Sequence, residues 1–122
     1  MLQQYGNRLV AGTFSATTAA QLLTTAALTL LVDEAPAKVD ATTGAWVGNQ
    51  IWGFCITNNS ANIIYIDFTS AQGTANTVSS TNYYRQIPAG GFFEISAGPG
   101  VLNTMQIIAA TGTSACHLVV FG

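Results

Sequence analysis

The side chains that could do acid-base, nucleophilic or metal chemistry are few and widely separated in this sequence. They are His117, Cys55, Cys116, Asp33, Glu34, Asp40, Asp67 and Glu94. They form no catalytic-nucleophile motif, no phosphate-binding loop, no paired-cysteine spacing, no metal-binding loop and no recognisable acid pair. We therefore expect no enzyme, no catalytic residue, no metal, no cofactor and no small-molecule substrate. A cluster of His117 with a carboxylate in a pocket would reopen the enzyme hypothesis.

The two cysteines and the histidine fit structural roles better than chemical ones. Cys55 and Cys116 lie inside apparent strands and are followed by further apolar residues. This pattern favours buried free thiols, with a disulfide between them as the alternative. His117 lies in the last apparent strand, where we expect a structural or interface role.

The composition favours one folded domain whose surface is almost uncharged. The 122 residues are 49% hydrophobic and only 7% charged, and the formal net charge is -2. Globular proteins average about 25% charged residues, whereas disordered chains combine low hydrophobicity with high net charge. Arg8, Lys38 and Arg85 are scattered, so we expect no nucleic-acid partner. A neutral surface repels other copies weakly and suits a subunit that packs against neighbours.

The apolar segment Ala19 to Val32, AAQLLTTAALTLLV, is too short to span a membrane, which takes about 20 residues. We also expect no signal peptide, because Asp33 and Glu34 interrupt the small neutral region that a cleavage site needs. The spacing of its apolar residues fits a helical face, while its threonines favour extended structure. We favour strands at residues 21–24 and 27–32.

The clearest strand pattern is WGFCITNNSANIIYIDF, from Trp52 to Phe68. Alternate residues of a strand share a face, so two sets of residues are expected to form the core. The sets are Trp52, Phe54 and Ile56 in the first strand, and Ile64, Ile66 and Phe68 in the second. The Asn and Ser residues between the strands predict a hairpin turn.

The rest of the chain predicts an all-β fold. Short apparent strands follow one another at about ten-residue spacing, with turns at residues 88–91, 98–100 and 111–114, which is typical of a sandwich or jelly roll. We predict one antiparallel β-sandwich domain, jelly-roll-like, over residues 1–122. Residues 1–18 are a possible N-terminal extension or arm, and residues 33–48 read as a long exposed loop.

Many of these strands are apolar on both faces, although an antiparallel sheet usually keeps one face polar. A sandwich buries one face of each sheet, so the second needs another cover: the N-terminal segment or another subunit. The interface candidates are Leu9, Phe14, Trp46, Tyr65, Tyr83, Tyr84, Val119 and Phe121.

Three stretches carry a resemblance to a known class of proteins: NNSANIIYI, IPAGGFFEI and MQIIAATGTSACHLVVF. From about Ile51 to Gly122 the chain resembles the small all-β virion proteins of tailed bacteriophages, of the capsid decoration or cement type. The resemblance implies an oligomeric β-sandwich, often a trimer, with the MQIIAATGTSACHLVVF stretch as a closing hairpin. It further implies binding to the major capsid protein on the capsid exterior, after assembly in the host cytoplasm.

Two alternatives stay open. A tail, neck or fibre component would share the fold and the neutral surface, and the sequence does not separate it from a decoration protein. A carbohydrate-binding module or adhesin would instead use Trp46 and the tyrosines as stacking platforms for sugar rings.

Overall fold

The computed structural model describes residues 8–24, 28–33, 38–39, 46–47, 53–69, 77–96 and 104–121. These ranges contain β-strands and connections but no helix. The strands are β1 (Arg8–Ala16), β2 (Gln21–Leu22), β3 (Thr29–Asp33), β4 (Lys38–Val39), β5 (Trp46–Val47), β6 (Gly53–Asn58), β7 (Ile64–Thr69), β8 (Arg85–Ile87), β9 (Phe92–Ser96), β10 (Thr104–Ala109) and β11 (Ser114–Phe121). The predicted all-β class is confirmed.

Two antiparallel sheets pack as a sandwich. The five-stranded sheet has the order β3-β1-β11-β6-β9, and the four-stranded sheet has the order β2-β10-β7-β8. A separate pair is formed by β4 and β5. For the segment Ala19 to Val32, the predicted strands at 21–24 and 27–32 correspond to β2 and β3. Residues 25–27 lie outside the described residues.

The strand pairing between the two halves of the chain is nested. β1 pairs with β11 and β2 with β10, while β6 pairs with β9 and β7 with β8. Each pair is antiparallel, and the inner pairs lie closer together in sequence than the outer ones. The eight strands therefore have the connectivity of one long antiparallel hairpin folded over into two sheets.

The core lies between the sheets and is lined by alternate residues of each strand. Phe54 and Ile56 face Ile64 and Ile66, and all four are fully buried. The predicted core faces are thus confirmed for these residues, and Phe68 packs against the same core while partly exposed. Trp52 lies outside the described residues.

The predicted hairpin of residues 52–68 is wrong. β6 belongs to the five-stranded sheet and β7 to the four-stranded sheet, so the connection 59–63 crosses the sandwich. β10 and β11 are divided in the same way, and the closing hairpin implied by the resemblance is wrong too. A period-two pattern shows which face of a strand is buried, but a hairpin and a crossing both bury one face of each strand.

The buried side chain of Asn58 explains why the chain crosses here. Its Nδ2 donates to the carbonyls of Asn62 (2.7 Å), Pro88 (3.1 Å) and Ile87 (3.2 Å), and Ile87 belongs to β8 in the opposite sheet. Its Oδ1 accepts from the amide of Ser60 at 3.1 Å and from its hydroxyl at 2.7 Å. A buried amide is costly unless bonded, so these contacts select the crossing conformation.

The four described connections between the sheets meet at one end of the sandwich, which we call the turn end: residues 17–20, 59–63, 88–91 and 110–113. Backbone bonds join them, including Ala109 N to Thr17 O (2.7 Å) and Ala110 N to Ile63 O (2.9 Å). In the 88–91 turn, Gly90 has a φ of +73°, and a Cβ at Gly91 would lie 3.0 Å from Pro88 Cγ. Glycine suits both positions because it has no Cβ.

The second apolar face of the four-stranded sheet is partly covered by the protein's own chain. Val78 is buried, and its amide donates to Gln106 Oε1 on the outer face of β10 at 3.0 Å. Tyr83 lies on Tyr65 of β7 with ring centroids 4.9 Å apart. Residues 77–84 therefore provide part of the cover that we expected from the N-terminal segment or from another subunit.

Two segment predictions need correction. Residues 8–16, placed in a possible arm over 1–18, form β1, which lies between β3 and β11 inside the five-stranded sheet. The predicted exposed loop at 33–48 begins with the last residue of β3 and contains the paired strands β4 and β5. The alternation of apolar and polar residues in β1, β4 and β5 was too short or too mixed to predict strands. Pairing with neighbouring strands holds these segments extended. Residues 1–7, 34–37, 40–45 and 48 lie outside the described residues.

Deleting residues 1–14 should abolish folding rather than trim an arm. The deletion removes most of an interior strand, including the buried Val10 and Phe14, and leaves the edges of β3 and β11 unpaired. We expect loss of the cooperative thermal transition in circular dichroism. A truncated chain that melts cooperatively like the full chain would contradict the placement of β1.

Candidate interaction surface

One side of the sandwich exposes the edges of both sheets. β8 is the last strand of the four-stranded sheet and β9 the last strand of the five-stranded sheet, and the 88–91 turn joins them. Four large hydrophobic side chains are exposed in the part of the chain that the structure describes: Leu22, Tyr83, Tyr84 and Phe92. All but Leu22 lie on or just before β8 and β9. We call this side the aromatic edge: Tyr83, Tyr84, Arg85, Phe92, Phe93 and Glu94.

The rings of the aromatic edge are continuous with the core. Tyr84 is 51% exposed, and its ring meets that of Phe68 edge-on, with centroids 4.7 Å apart. Phe68 in turn lies 5.3 Å from the fully buried Phe54, which also contacts Phe93 at 6.0 Å. These separations suit the edge-to-face packing that aromatic pairs prefer. The Tyr84 ring is therefore held by packing instead of projecting freely.

Arg85 is held across the rings by cation-π contacts. Its guanidinium carbon lies 5.1 Å from the Phe93 ring centroid and 5.9 Å from that of Tyr84. The side chain is exposed, and it makes no ion pair with any residue that the structure describes. Its N–H groups are thus available to an acceptor outside the protomer. Glu94, also exposed, is the other charged residue of this edge.

The edge of β9 also carries unpaired backbone groups. Asn58 N donates to Gly91 O at 2.8 Å, which fixes the alternation of the β6–β9 ladder. Phe93 and Ile95 then bond to β6, while the amides and carbonyls of Phe92 and Glu94 point outwards. Such groups are a template for pairing with another strand.

The sequence-predicted interface residues fall into different environments. Tyr83 and Tyr84 are exposed at the aromatic edge, and Tyr65 is half-buried beneath Tyr83. Val119 is half-buried on the outer face of the five-stranded sheet. The side chains of Leu9 and Trp46 lie outside the described set.

Phe14 and Phe121 must be corrected, because both are buried within the protomer. Phe14 belongs to the main core, and Phe121 is only 1% exposed, although its register places it on the outer face opposite Gly53. Neither offers surface to a partner. Sequence reasoning overlooked Phe92, Arg85 and Glu94. Their only signal in the sequence is that Arg85 and Glu94 are charged, and that Phe92 is one of two adjacent phenylalanines, close to the 88–91 turn.

The two cysteines are free thiols on opposite faces of the five-stranded sheet, as favoured by the sequence. Burial raises the pKa of Cys116 to about 11. The stability gained by keeping this thiol neutral is complete below pH 9.0 and is lost as the pH rises through about 11. Burial, and then the nearby Glu94 carboxylate, raise the pKa of Cys55.

The described residues do not assemble a reaction centre. One cavity of about 320 Å³ is lined by Thr13, Phe14, Ser15, Thr29, Asn59, Ala115 and Cys116. Another of about 230 Å³ is lined by Thr18, Tyr65, Ser79, Ser80, Ile108, Ala109 and Ala110. Neither lining includes a carboxylate or histidine. Across the described ranges, no group of three His, Cys, Asp or Glu side chains could hold a metal ion, and no helix is long and apolar enough to cross a membrane.

Comparisons with known proteins assign this chain to no family. No protein-family model matches the sequence, and no curated protein matches it significantly.

Glu94→Gln should accelerate alkylation of Cys55. Removing the carboxylate lowers the raised pKa of this thiol and increases its reactive thiolate fraction. We expect a rate increase of about two- to fivefold with iodoacetamide at pH 8, followed by mass spectrometry. Asp67→Asn is the matched control and should leave the rate unchanged. Equal rates in the Glu94→Gln and parent chains, or faster labelling of Cys116 than of Cys55, would contradict this account.

Proposed function

We propose that this protein is a virion structural subunit of the capsid decoration or cement type, which binds the major capsid protein on the outer surface of the shell. The observation that carries the proposal is the nested pairing of eight strands in the orders β1-β11-β6-β9 and β2-β10-β7-β8. That order supports a jelly-roll interpretation, and jelly rolls are a recurrent architecture of viral capsid domains. The sequence resemblance to phage virion proteins points the same way.

The character of the surface supports a binding role without catalysis. The exposed turn end, formed by residues 17–20, 59–63, 88–91 and 110–113, contains no Asp, Glu, Lys or Arg. Its backbone hydrogen bonds hold it in one shape, so little conformational entropy is lost on docking. A neutral surface of fixed shape suits repeated contacts with a protein lattice.

The mechanism is stabilisation by mass action. A ligand that binds the assembled shell but not its dissociated subunits raises the stability of the assembled state. Association of several copies makes each further contact intramolecular, so weak individual contacts add up to tight attachment. The proposal therefore includes self-association. It also includes a location on the particle exterior, after assembly in the host cytoplasm.

Stoichiometry in purified particles tests this function. We expect quantitative mass spectrometry of gradient-purified virions to give this chain a copy number comparable to that of the major shell protein. Particles stripped of the chain should dissociate at a lower temperature, and adding it back should restore the parent value. A few copies per particle would assign the chain to the tail, neck or fibre, and its absence from particles would overturn the proposal.

A further inference from the structure

A neutral cavity lies on the outer face of the four-stranded sheet, between the turn end and residues 77–84. Tyr65 and Ile108 are a cross-strand pair of β7 and β10, and their side chains form its floor. Both point away from the core, whose buried face on these strands includes Ile66 and Ile107. The volume is about 230 Å³, and the lining comprises Thr18, Tyr65, Ser79, Ser80, Ile108, Ala109 and Ala110. The floor of the cavity is therefore one aromatic ring and one aliphatic side chain.

Two hydrogen-bonded turns form the walls of the cavity. On one side, Ser79 Oγ accepts from the amides of Thr81 at 3.2 Å and Asn82 at 3.0 Å, and the backbones of Ser79 and Asn82 pair. On the other side, Ala109 N donates to Thr17 O at 2.7 Å within the turn end. A ligand thus meets a preformed site, and its binding costs little conformational entropy.

The polar side chains of the cavity are hydroxyls, and three of them are available to a ligand. Thr18 and Ser80 are exposed, and Tyr65 is half-buried. Their hydroxyls form no hydrogen bond with any residue that the structure describes. Since the lining contains no charged side chain, a charged ligand would lose hydration without gaining an opposite charge. Asp67, two residues from Tyr65 on the same face of β7, further disfavours an anion.

The size and chemistry of the cavity suit one sugar ring. Pockets for drug-sized ligands measure roughly 300–1,000 Å³, so about 230 Å³ limits the occupant to a smaller molecule. A pyranose has C–H groups on its flat faces, which suit the Tyr65 ring, and hydroxyls around its rim, which suit Thr18 and Ser80. The other cavity, of about 320 Å³, is also uncharged, but the Phe14 side chain of its lining is buried in the core. That cavity therefore offers no aromatic ring to a ligand.

We propose that this cavity binds one pyranose ring of a neutral glycan, with the C–H face of the ring on Tyr65 and its hydroxyls bonded to Thr18 and Ser80. A site of this size makes few contacts, so a single sugar should bind with a Kd of about 1 mM. Many copies of the chain on one particle would combine such contacts into tight adhesion to a glycan-covered surface. The proposal does not depend on attachment to a shell, because residues of one chain form the site.

NMR titration of the isotope-labelled chain with monosaccharides tests the site. The panel comprises the methyl glycosides of glucose, galactose, mannose and N-acetylglucosamine, with N-acetylneuraminic acid as the anionic control. We expect at least one neutral glycoside to shift the amide resonances of residues 18, 79–80 and 108–110 saturably, and the acid to shift none. The absence of saturable shifts with every neutral glycoside, shifts confined to other residues, or a response to the acid alone would overturn the proposal.

Matched variants separate the site from general effects on the fold. Thr18→Val replaces one hydroxyl of the cavity by a methyl group of similar shape and should weaken binding about three- to tenfold. Thr13→Val makes the same change in the other cavity and should leave the Kd unchanged. Tyr65→Leu removes the ring and should abolish detectable binding while the chain still melts cooperatively. Equal Kd values for the two threonine variants would overturn the proposed site. Failure of glycan binding would not affect particle stoichiometry, so the two proposals fail separately.

Discussion

The buried side-chain amide of Asn58 ties the five-stranded sheet to the connection between β8 and β9. Its nitrogen bonds to the Ile87 and Pro88 carbonyls, and its backbone amide bonds to the Gly91 carbonyl, so one residue holds both ends of the 88–91 turn. Its oxygen simultaneously shapes the 59–63 crossing through Ser60. A buried polar group with all its hydrogen bonds made specifies one conformation more strictly than an apolar group does, because few alternative conformations satisfy all its partners.

The aromatic edge depends on this contact. Since Asn58 binds both ends of the 88–91 turn, it also fixes where β8 ends and β9 begins. Tyr84 contacts the buried Phe54 through Phe68, and Phe93 contacts Phe54 directly. Packing against the core therefore fixes the positions of these two rings at the edge. An interface built on such an edge needs little rearrangement on binding, which lowers its entropic cost.

The sequence predicted the faces of the strands better than their partners. Alternation identified the buried sides of residues 54–56 and 64–66, and Pro, Gly and Asn marked the turns, because these are local properties of the backbone. The assignment of strands to sheets depends on long-range contacts such as that between Asn58 and Ile87, 29 residues apart. A turn rich in Asn fits a hairpin and a crossing equally well, and the hairpin was the wrong choice.

The candidate surface was only partly predictable for a similar reason. Tyr83 and Tyr84 stood out as aromatics beside polar residues, whereas Phe14 and Phe121 looked equally available but are buried by their neighbours. The exposure of Phe92 follows from β9 being an edge strand. Edge position is a property of the whole topology, and no local pattern encodes it.

The most direct test of this account is the free energy of unfolding of Asn58→Ala compared with Asn59→Ala, measured by urea denaturation. Asn59 is the matched control because its side chain is exposed. Loss of the buried Asn58 amide removes the five hydrogen bonds of its side chain, so we expect a cost of about 2–4 kcal/mol at position 58 and less than about 0.5 kcal/mol at position 59. Equal, small losses at both positions would contradict the role of Asn58 in holding the two sheets in place.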